Sequence, residues 1–202
     1  MSMEKTRNKT RMLVLTALFA AIIVVLQFLP VPAIGPVAMN LSLVPLVLGA
    51  VLYGPVQGGI LGVIMGVAII FQIILRPDLA GGLATGMFTM NPFVTGLLCV
   101  VKTSVAGVVA GLVAKWLTKV NRTLAVVLAA AVCPIVNTSI FLFGLCVIFN
   151  SVLTEVSASL SYSPVMFVLM LIVLMNFVPE LVINIVVSPI IVRVSEIIKK
   201  KA

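Results

Sequence analysis

The stretch MFVLMLIVLMNFVPELVINIVVSPIIV, residues 166–192, decides the class of protein to which this chain belongs. It is longer than the roughly 20 apolar residues that a helix needs to cross a bilayer. Glu180 is its only charged residue. A carboxyl group inside such an apolar run costs free energy unless protein groups or a ligand compensate for it. The stretch therefore predicts a membrane-spanning helix with either a functional site or a buried ion pair.

The composition of the whole chain supports a membrane protein. Of its 202 residues, 62% are hydrophobic and 9% are charged, whereas a soluble domain has roughly 25% charged residues. The length fits one membrane domain over residues 1–202. The sequence contains no His and no GxxxxGK[ST] phosphate-binding motif. We therefore expect no catalytic residues, no metal site, no cofactor and no ATP hydrolysis by this chain.

The apolar runs predict an all-α bundle of six spanning helices. Their approximate bounds are 12–29, 40–53, 56–75, 92–117, 123–149 and 164–197. We refer to them as predicted helices 1 to 6. Predicted helix 2, of about 14 residues, barely spans a bilayer unless it lies beside protein rather than lipid.

The basic residues predict how the bundle is oriented. Eleven of the 13 Lys and Arg residues form clusters at residues 5–11, 115–122 and 193–201. An even number of spans places all three clusters on one side, which the positive-inside rule makes the cytoplasm. Both termini are therefore expected to be cytoplasmic. The predicted outer loops are residues 30–39, 76–91 and 150–163. Separate clusters of this kind do not favour a nucleic-acid partner.

A polar stripe in predicted helix 6 is the strongest candidate for a binding site. Asn176, Glu180 and Asn184 are spaced four residues apart and share one helix face. Lys102 lies about ten residues, or roughly 15 Å, inside predicted helix 4. A lone ammonium at that depth requires a carboxylate partner. Either Lys102 and Glu180 form a structural ion pair, or they bind a substrate together.

Other polar and aromatic residues extend this candidate site. Asn137 in predicted helix 5, Asn91 and Phe93 at the start of helix 4, and Asn150 near the outer boundary are further candidate binding residues. The alternatives are that Asn91 and Asn150 cap helices and that Asn137 satisfies a kinked backbone. We expect Asn40 to be the N-cap of predicted helix 2.

Small residues recur at spacings that allow helices to approach closely. Gly58, Gly62 and Gly66 form a GxxxGxxxG repeat, for which we favour internal packing. Ala17 and Ala21 form an AxxxA pair in predicted helix 1. For this pair, internal packing and docking to a partner protein remain open.

These features together resemble the substrate-capture subunits, or S-components, of energy-coupling factor (ECF) transporters. The segments NLSLVPLVLGAVLYGPVQGGILGVIMG (40–66) and NPFVTGLLCVVKTSVAGVVAGLVAKW (91–116) look like the corresponding parts of that family. The resemblance implies a non-enzymatic part of a vitamin importer in a prokaryotic plasma membrane. It implies substrate capture in the outward half, under the outer loops. It also implies docking, through Ala17 and Ala21, to an EcfT-like transmembrane scaffold subunit with two ABC-type ATPases.

The residues indicate which vitamin suits such a site. The chain has one Trp and two Tyr residues, which is little for aromatic stacking. Pantothenate is the favoured substrate because its carboxylate suits Lys102 and its amide and hydroxyl groups suit the polar stripe. Hydroxymethylpyrimidine, folate, lipoate and other nutrients are the alternatives. The competing classes are a self-sufficient secondary transporter and a membrane-embedded enzyme.

Overall fold

The computed structural model describes residues 2–29 and 40–200, and this part of the chain is almost entirely helical, with no strand. The α-helices are α1 (Ser2–Phe28), α2 (Leu43–Tyr53), α3 (Pro55–Leu75), α4 (Pro77–Ala80), α5 (Gly82–Met90), α6 (Pro92–Leu117), α7 (Arg122–Val147), α8 (Asn150–Ser159), α9 (Pro164–Phe167) and α10 (Val178–Lys200). A π-helical segment, Val168–Phe177, joins α9 to α10. The all-α prediction is confirmed for the described residues.

Five helical segments are long and apolar enough to cross a membrane. They are Thr10–Phe28, Pro55–Leu75, Pro92–Leu117, Arg122–Val147 and Pro164–Val194. The remaining predicted span, α2, has 11 residues, of which seven are buried. Its length of about 16 Å is well short of the roughly 30 Å hydrocarbon core. The structure therefore shows α2 as a short, largely buried helix, and six spans and cytoplasmic termini remain predictions.

Two helix starts differ from the predicted ones. Helix α1 begins at Ser2, so the first basic cluster lies within the helix rather than ahead of it. Helix α2 begins at Leu43, with Ser42 at the N-cap position and a turn before it. The N-cap assignment of Asn40 is therefore wrong, because the chain has not yet entered the helix at that residue.

Two of the three predicted outer loops contain helices. Residues 76–91 form α4 and α5, and residues 150–163 include α8. Pro77 stands at the start of α4, where its missing N–H is harmless. Gly81, with φ +85°, separates α4 from α5. The predicted loop 30–39, with its prolines, lies outside the described residues.

Helices α3 and α6 pack closely along their glycines. A Cβ atom at Gly58 would overlap the backbone of Gly107, and one at Gly66 would lie 2.6 Å from the Cα of Val100. The Thr103 hydroxyl on α6 donates a hydrogen bond of 2.6 Å to the carbonyl oxygen of Gly62 on α3. Internal packing is thus confirmed as the role of the glycine repeat. This contact fixes two of the helices that line the cavity.

Candidate functional site

A cavity of about 60 Å³ lies within the bundle and is lined by residues of α1, α3, α4, α5, α6, α7, the π-helical segment and α10, together with Asn40. Its polar lining consists of Gln27, Asn40, Gln72, Lys102, Asn137, Thr138, Asn176 and Glu180. Two of these residues carry charges of opposite sign. Helices distant in sequence thus bring Lys102 and Glu180 to the lining of one cavity.

The Glu180 carboxylate is held at one oxygen and unpartnered at the other. The side chain is 2% exposed. Its Oε1 accepts a hydrogen bond of 2.7 Å from the backbone N–H of Asn40. Its Oε2 is buried and has no hydrogen-bond partner. Since an unsatisfied buried acceptor is costly, this oxygen is a place where a ligand donor would be stabilising.

The Lys102 ammonium contacts an aromatic ring rather than a carboxylate. The side chain is 7% exposed, and its Nζ atom lies 4.8 Å from the centroid of the Phe141 ring. Lys102 and Glu180, both among the described residues, form no ion pair within 4.0 Å. The ion pair considered from the sequence is therefore not present, and both charges face the same cavity.

Three asparagines surround these charges. Asn176 and Asn137 line the cavity, and the Oδ1 atom of Asn137 is buried without a partner. Asn184 is buried one turn beyond Glu180 and does not line the cavity. Its Nδ2 atom donates a hydrogen bond of 2.9 Å to the backbone oxygen of Glu180. Asn184 thus supports the helix turn that presents the carboxylate.

Three other candidate binding residues lie elsewhere. Asn91 is exposed and caps α6, accepting a hydrogen bond of 3.1 Å from the N–H of Val94. Phe93 is 79% exposed. Asn150 is exposed at the start of α8, where it accepts a hydrogen bond from the hydroxyl of Thr154. The structure thus places these three residues outside the lining of the cavity.

The geometry can be compared with known protein families. A family model described as "ECF transporter, substrate-specific component" matches residues 11–192. The chain belongs to this family. No curated protein matched the sequence. The family consists of substrate-binding subunits of transporters rather than enzymes, and membership implies a small-molecule substrate, an EcfT scaffold and ATPases.

Sequence reasoning missed several cavity residues of this S-component, among them two glutamines. Gln27 on α1 and Gln72 on α3 are both buried and line the cavity. The Gln27 side-chain amide donates to Gln72 Oε1, and Gln72 Nε2 donates a 2.7 Å bond to the backbone oxygen of Gln27. Ser42 Oγ donates to Gln27 Oε1 at 3.2 Å. The sequence signal that could have found them is a glutamine near the end of the apolar run of α1 and another near the end of that of α3.

An exposed ion pair, Arg76–Asp78, lies outside the cavity of the S-component. Arg76 and Asp78 pair at 2.9 Å, and both side chains are more than half exposed. The hydrogen bonds from Arg76 lower the pKa of Asp78 below its usual value. Because these two charges satisfy each other, they do not compensate for the charges of Lys102 and Glu180.

The alanine pair of the S-component lies on an exposed face of α1. Ala17 and Ala21 are both exposed. Helix α1 is the least buried of the five long apolar segments. Internal packing within the described chain therefore does not account for the AxxxA pair, and a lipid or protein neighbour can reach it.

Proposed function

We propose that this S-component captures a small vitamin in the cavity and delivers it through an EcfT-like scaffold subunit with two ABC-type ATPases. The observation that supports capture is a buried cavity with two opposite charges that are not paired with each other. The unpartnered oxygens of Glu180 and Asn137 add acceptors for ligand donors. A purely structural charge pair would close on itself rather than leave these groups open.

The location of the cavity supports capture from outside the cell. Gln27 lies close to the end of α1, and Gln72 lies close to the end of α3. In the topology inferred from the basic clusters, both ends face outward in a prokaryotic plasma membrane. The cavity would then lie in the outward half of the protein, while both termini are cytoplasmic.

The substrate that we propose is pantothenate. Its carboxylate would bind Lys102, and its hydroxyl and amide N–H groups would donate to Glu180 and Asn137. The cavity, at about 60 Å³, is smaller than the roughly 300–1,000 Å³ of typical ligand pockets. Binding would therefore require the surrounding side chains to move apart, which favours a small flexible ligand.

The alternative vitamins fit the cavity less well. Hydroxymethylpyrimidine comes second, because its amine can donate to Glu180 but it has no anion for Lys102. Lipoate offers a carboxylate without donors for Glu180. Folate is much larger than the cavity and carries two carboxylates, although only one lysine lines the site.

Equilibrium binding tests the proposed substrate. Labelled pantothenate would be titrated against the detergent-purified full chain, with unlabelled vitamins as competitors. Saturable binding displaced by pantothenate alone is the expected result. Binding of another vitamin in the same panel would replace pantothenate as the substrate but keep the capture role.

Substitutions in the same assay test the site. Lys102→Met and Glu180→Gln should each weaken binding at least about 30-fold, since truncating one member of a buried charged contact typically costs 2–5 kcal/mol. Lys115→Met and Glu155→Gln are matched controls, because both residues are exposed and outside the cavity lining. Normal binding by both cavity variants would exclude this site.

Transport assays separate the two transporter classes. Vesicles containing the full complex should accumulate pantothenate when ATP is present, and vesicles containing this chain alone should not. Accumulation by the chain alone would favour a self-sufficient secondary transporter. That class would have to couple ions through very few acids, since Glu180 is the only carboxylate among the described residues that line the cavity.

A further inference from the structure

We propose that Phe141 is a positioning residue that keeps the Lys102 ammonium apart from the Glu180 carboxylate. The cavity then keeps a cationic pole at Lys102 and an anionic pole at Glu180. It would select ligands that bring an anionic group to Lys102 and a hydrogen-bond donor to Glu180. This inference rests on the proposed substrate-binding function and names the chemical class of the substrate.

The Lys102 ammonium lies beside an aromatic ring although a carboxylate lines the same cavity. Opposite charges attract strongly where water is excluded, and the lysine side chain is flexible. Lys102 and Glu180 line one small cavity, yet they form no ion pair. Instead, Lys102 Nζ lies 4.8 Å from the ring centroid of Phe141, which is within the range of a cation–π interaction. The ring therefore supplies the attraction that holds the ammonium in place.

The Glu180 carboxylate is held in place by a group other than Lys102. Its Oε1 atom is held by the Asn40 N–H, while Oε2 remains without a partner. Asn137 adds another unpartnered oxygen to the cavity. Asn137 and Phe141 are four residues apart on α7, so both reach the cavity from the same helix face. One helix thus carries the ring at the cationic pole and an acceptor that lines the same cavity.

The separation of Lys102 from Glu180 affects which ligands can bind. If the ring were absent, the ammonium would be free to move to Glu180, and a ligand would have to break that ion pair before binding. A ligand without an anionic group would gain little from the separation. Phe141 should therefore matter more for a carboxylate than for its neutral analogue.

A stability cycle tests the separation without any ligand. The melting temperature of the detergent-purified full chain would be measured for Phe141→Leu, Glu180→Gln and the double variant. In the chain that retains Glu180, a new Lys102–Glu180 ion pair offsets part of the decrease in melting temperature caused by Phe141→Leu. In the Glu180→Gln background it cannot form, so the loss should be greater by about 2–4 °C. Equal decreases in melting temperature with and without Glu180 would mean that Phe141 acts through packing alone, and would overturn the proposal.

Further variants control for the change in shape. Phe141→Met also lacks the ring and should show the same dependence on Glu180, so the cycle can still be completed if Phe141→Leu does not fold. Phe141→Tyr retains the aromatic face and should show no such dependence. Dependence in Phe141→Tyr equal to that in Phe141→Met would refute a role for the ring.

Ligand binding provides the second arm. Labelled pantothenate and panthenol, in which an alcohol replaces the carboxylate, would be compared on the wild-type chain and Phe141→Met. The variant should lose about 2- to 30-fold in affinity for pantothenate and less for panthenol. Equal losses for both ligands would overturn the positioning role. If the wild-type chain binds neither ligand, the proposed substrate is wrong, and the stability cycle still decides the role of Phe141.

Discussion

Replacing Gly62 by alanine tests the helix packing that builds one side of the cavity. A Cβ atom at this position would overlap the carbonyl oxygen of Thr103 and lie 2.7 Å from the backbone nitrogen of Ser104. These are backbone atoms of α6, which cannot rotate away as a side chain can. Helices α3 and α6 would therefore have to move apart to admit a single methyl group.

The expected cost can be estimated from these contacts. Overpacking in a well-packed interior costs about 1–3 kcal/mol. Separating the helices also weakens the hydrogen bond of 2.6 Å from Thr103 Oγ1 to Gly62 O, and such bonds between membrane helices contribute about 0.6 kcal/mol on average. The greater helix propensity of alanine returns up to about 1 kcal/mol. The net destabilisation should be about 1–3 kcal/mol.

Binding should weaken together with stability. Helix α3 carries Gln72 and α6 carries Lys102, so a change in their spacing displaces two parts of the cavity lining. The assay is reversible unfolding in detergent, followed by equilibrium binding of the vitamin. Gly82→Ala is the matched control, since a Cβ there meets nothing within 4 Å. If Gly62→Ala were as stable as this control and bound substrate normally, the close packing inferred for α3 and α6 would be wrong.

Two other predictions concern the surface and the buried polar face. Replacing Ala17 and Ala21 by leucine should spare vitamin binding but abolish uptake with the scaffold and ATPases; loss of binding instead would show that this face of α1 supports the binding site rather than docking. Ser188→Ala should be neutral or raise the melting temperature, because the buried Ser188 hydroxyl has no partner. Thr103→Val is its contrast, since that hydroxyl bonds to Gly62 and its removal should lower the melting temperature. A clear loss of stability in Ser188→Ala would show that its hydroxyl makes a stabilising bond.

The sequence predicted those parts of the fold for which the alternative would cost a large free energy. The five long apolar helices follow from the cost of placing polar groups in lipid. Glu180 and Lys102 are conspicuous for the same reason, and the four-residue spacing of Asn176 and Glu180 places both on one face. Their presence in one cavity follows from the need of each buried charge for compensation, and the structure brings them there.

The parts that were missed have weak or ambiguous local signals. Phe141 and Phe143 stand two residues apart in the same apolar run, yet Phe141 lines the cavity and Phe143 is 67% exposed. The rotation of α7 about its axis decides between them, and it depends on packing against other helices. Likewise, α5 occupies a glycine-rich segment that resembles a loop. It forms because Leu83 and Met87, one turn apart, are buried in one cluster with residues of α8.

The short helix α2 gives the buried Glu180 carboxylate a structural role. A helix of 11 residues cannot reach both membrane surfaces, so the chain that leads into it needs hydrogen-bond partners from the protein. Glu180 accepts from the N–H of Asn40, just ahead of that helix, and irregular backbone at such depth is tolerated where it is buried or lines a cavity. The carboxylate thus serves the fold with one oxygen and leaves the other for a ligand. Glu180→Gln retains an acceptor for this N–H while removing the charge, so it separates binding from folding. Glu180→Leu would remove the acceptor as well and impair both.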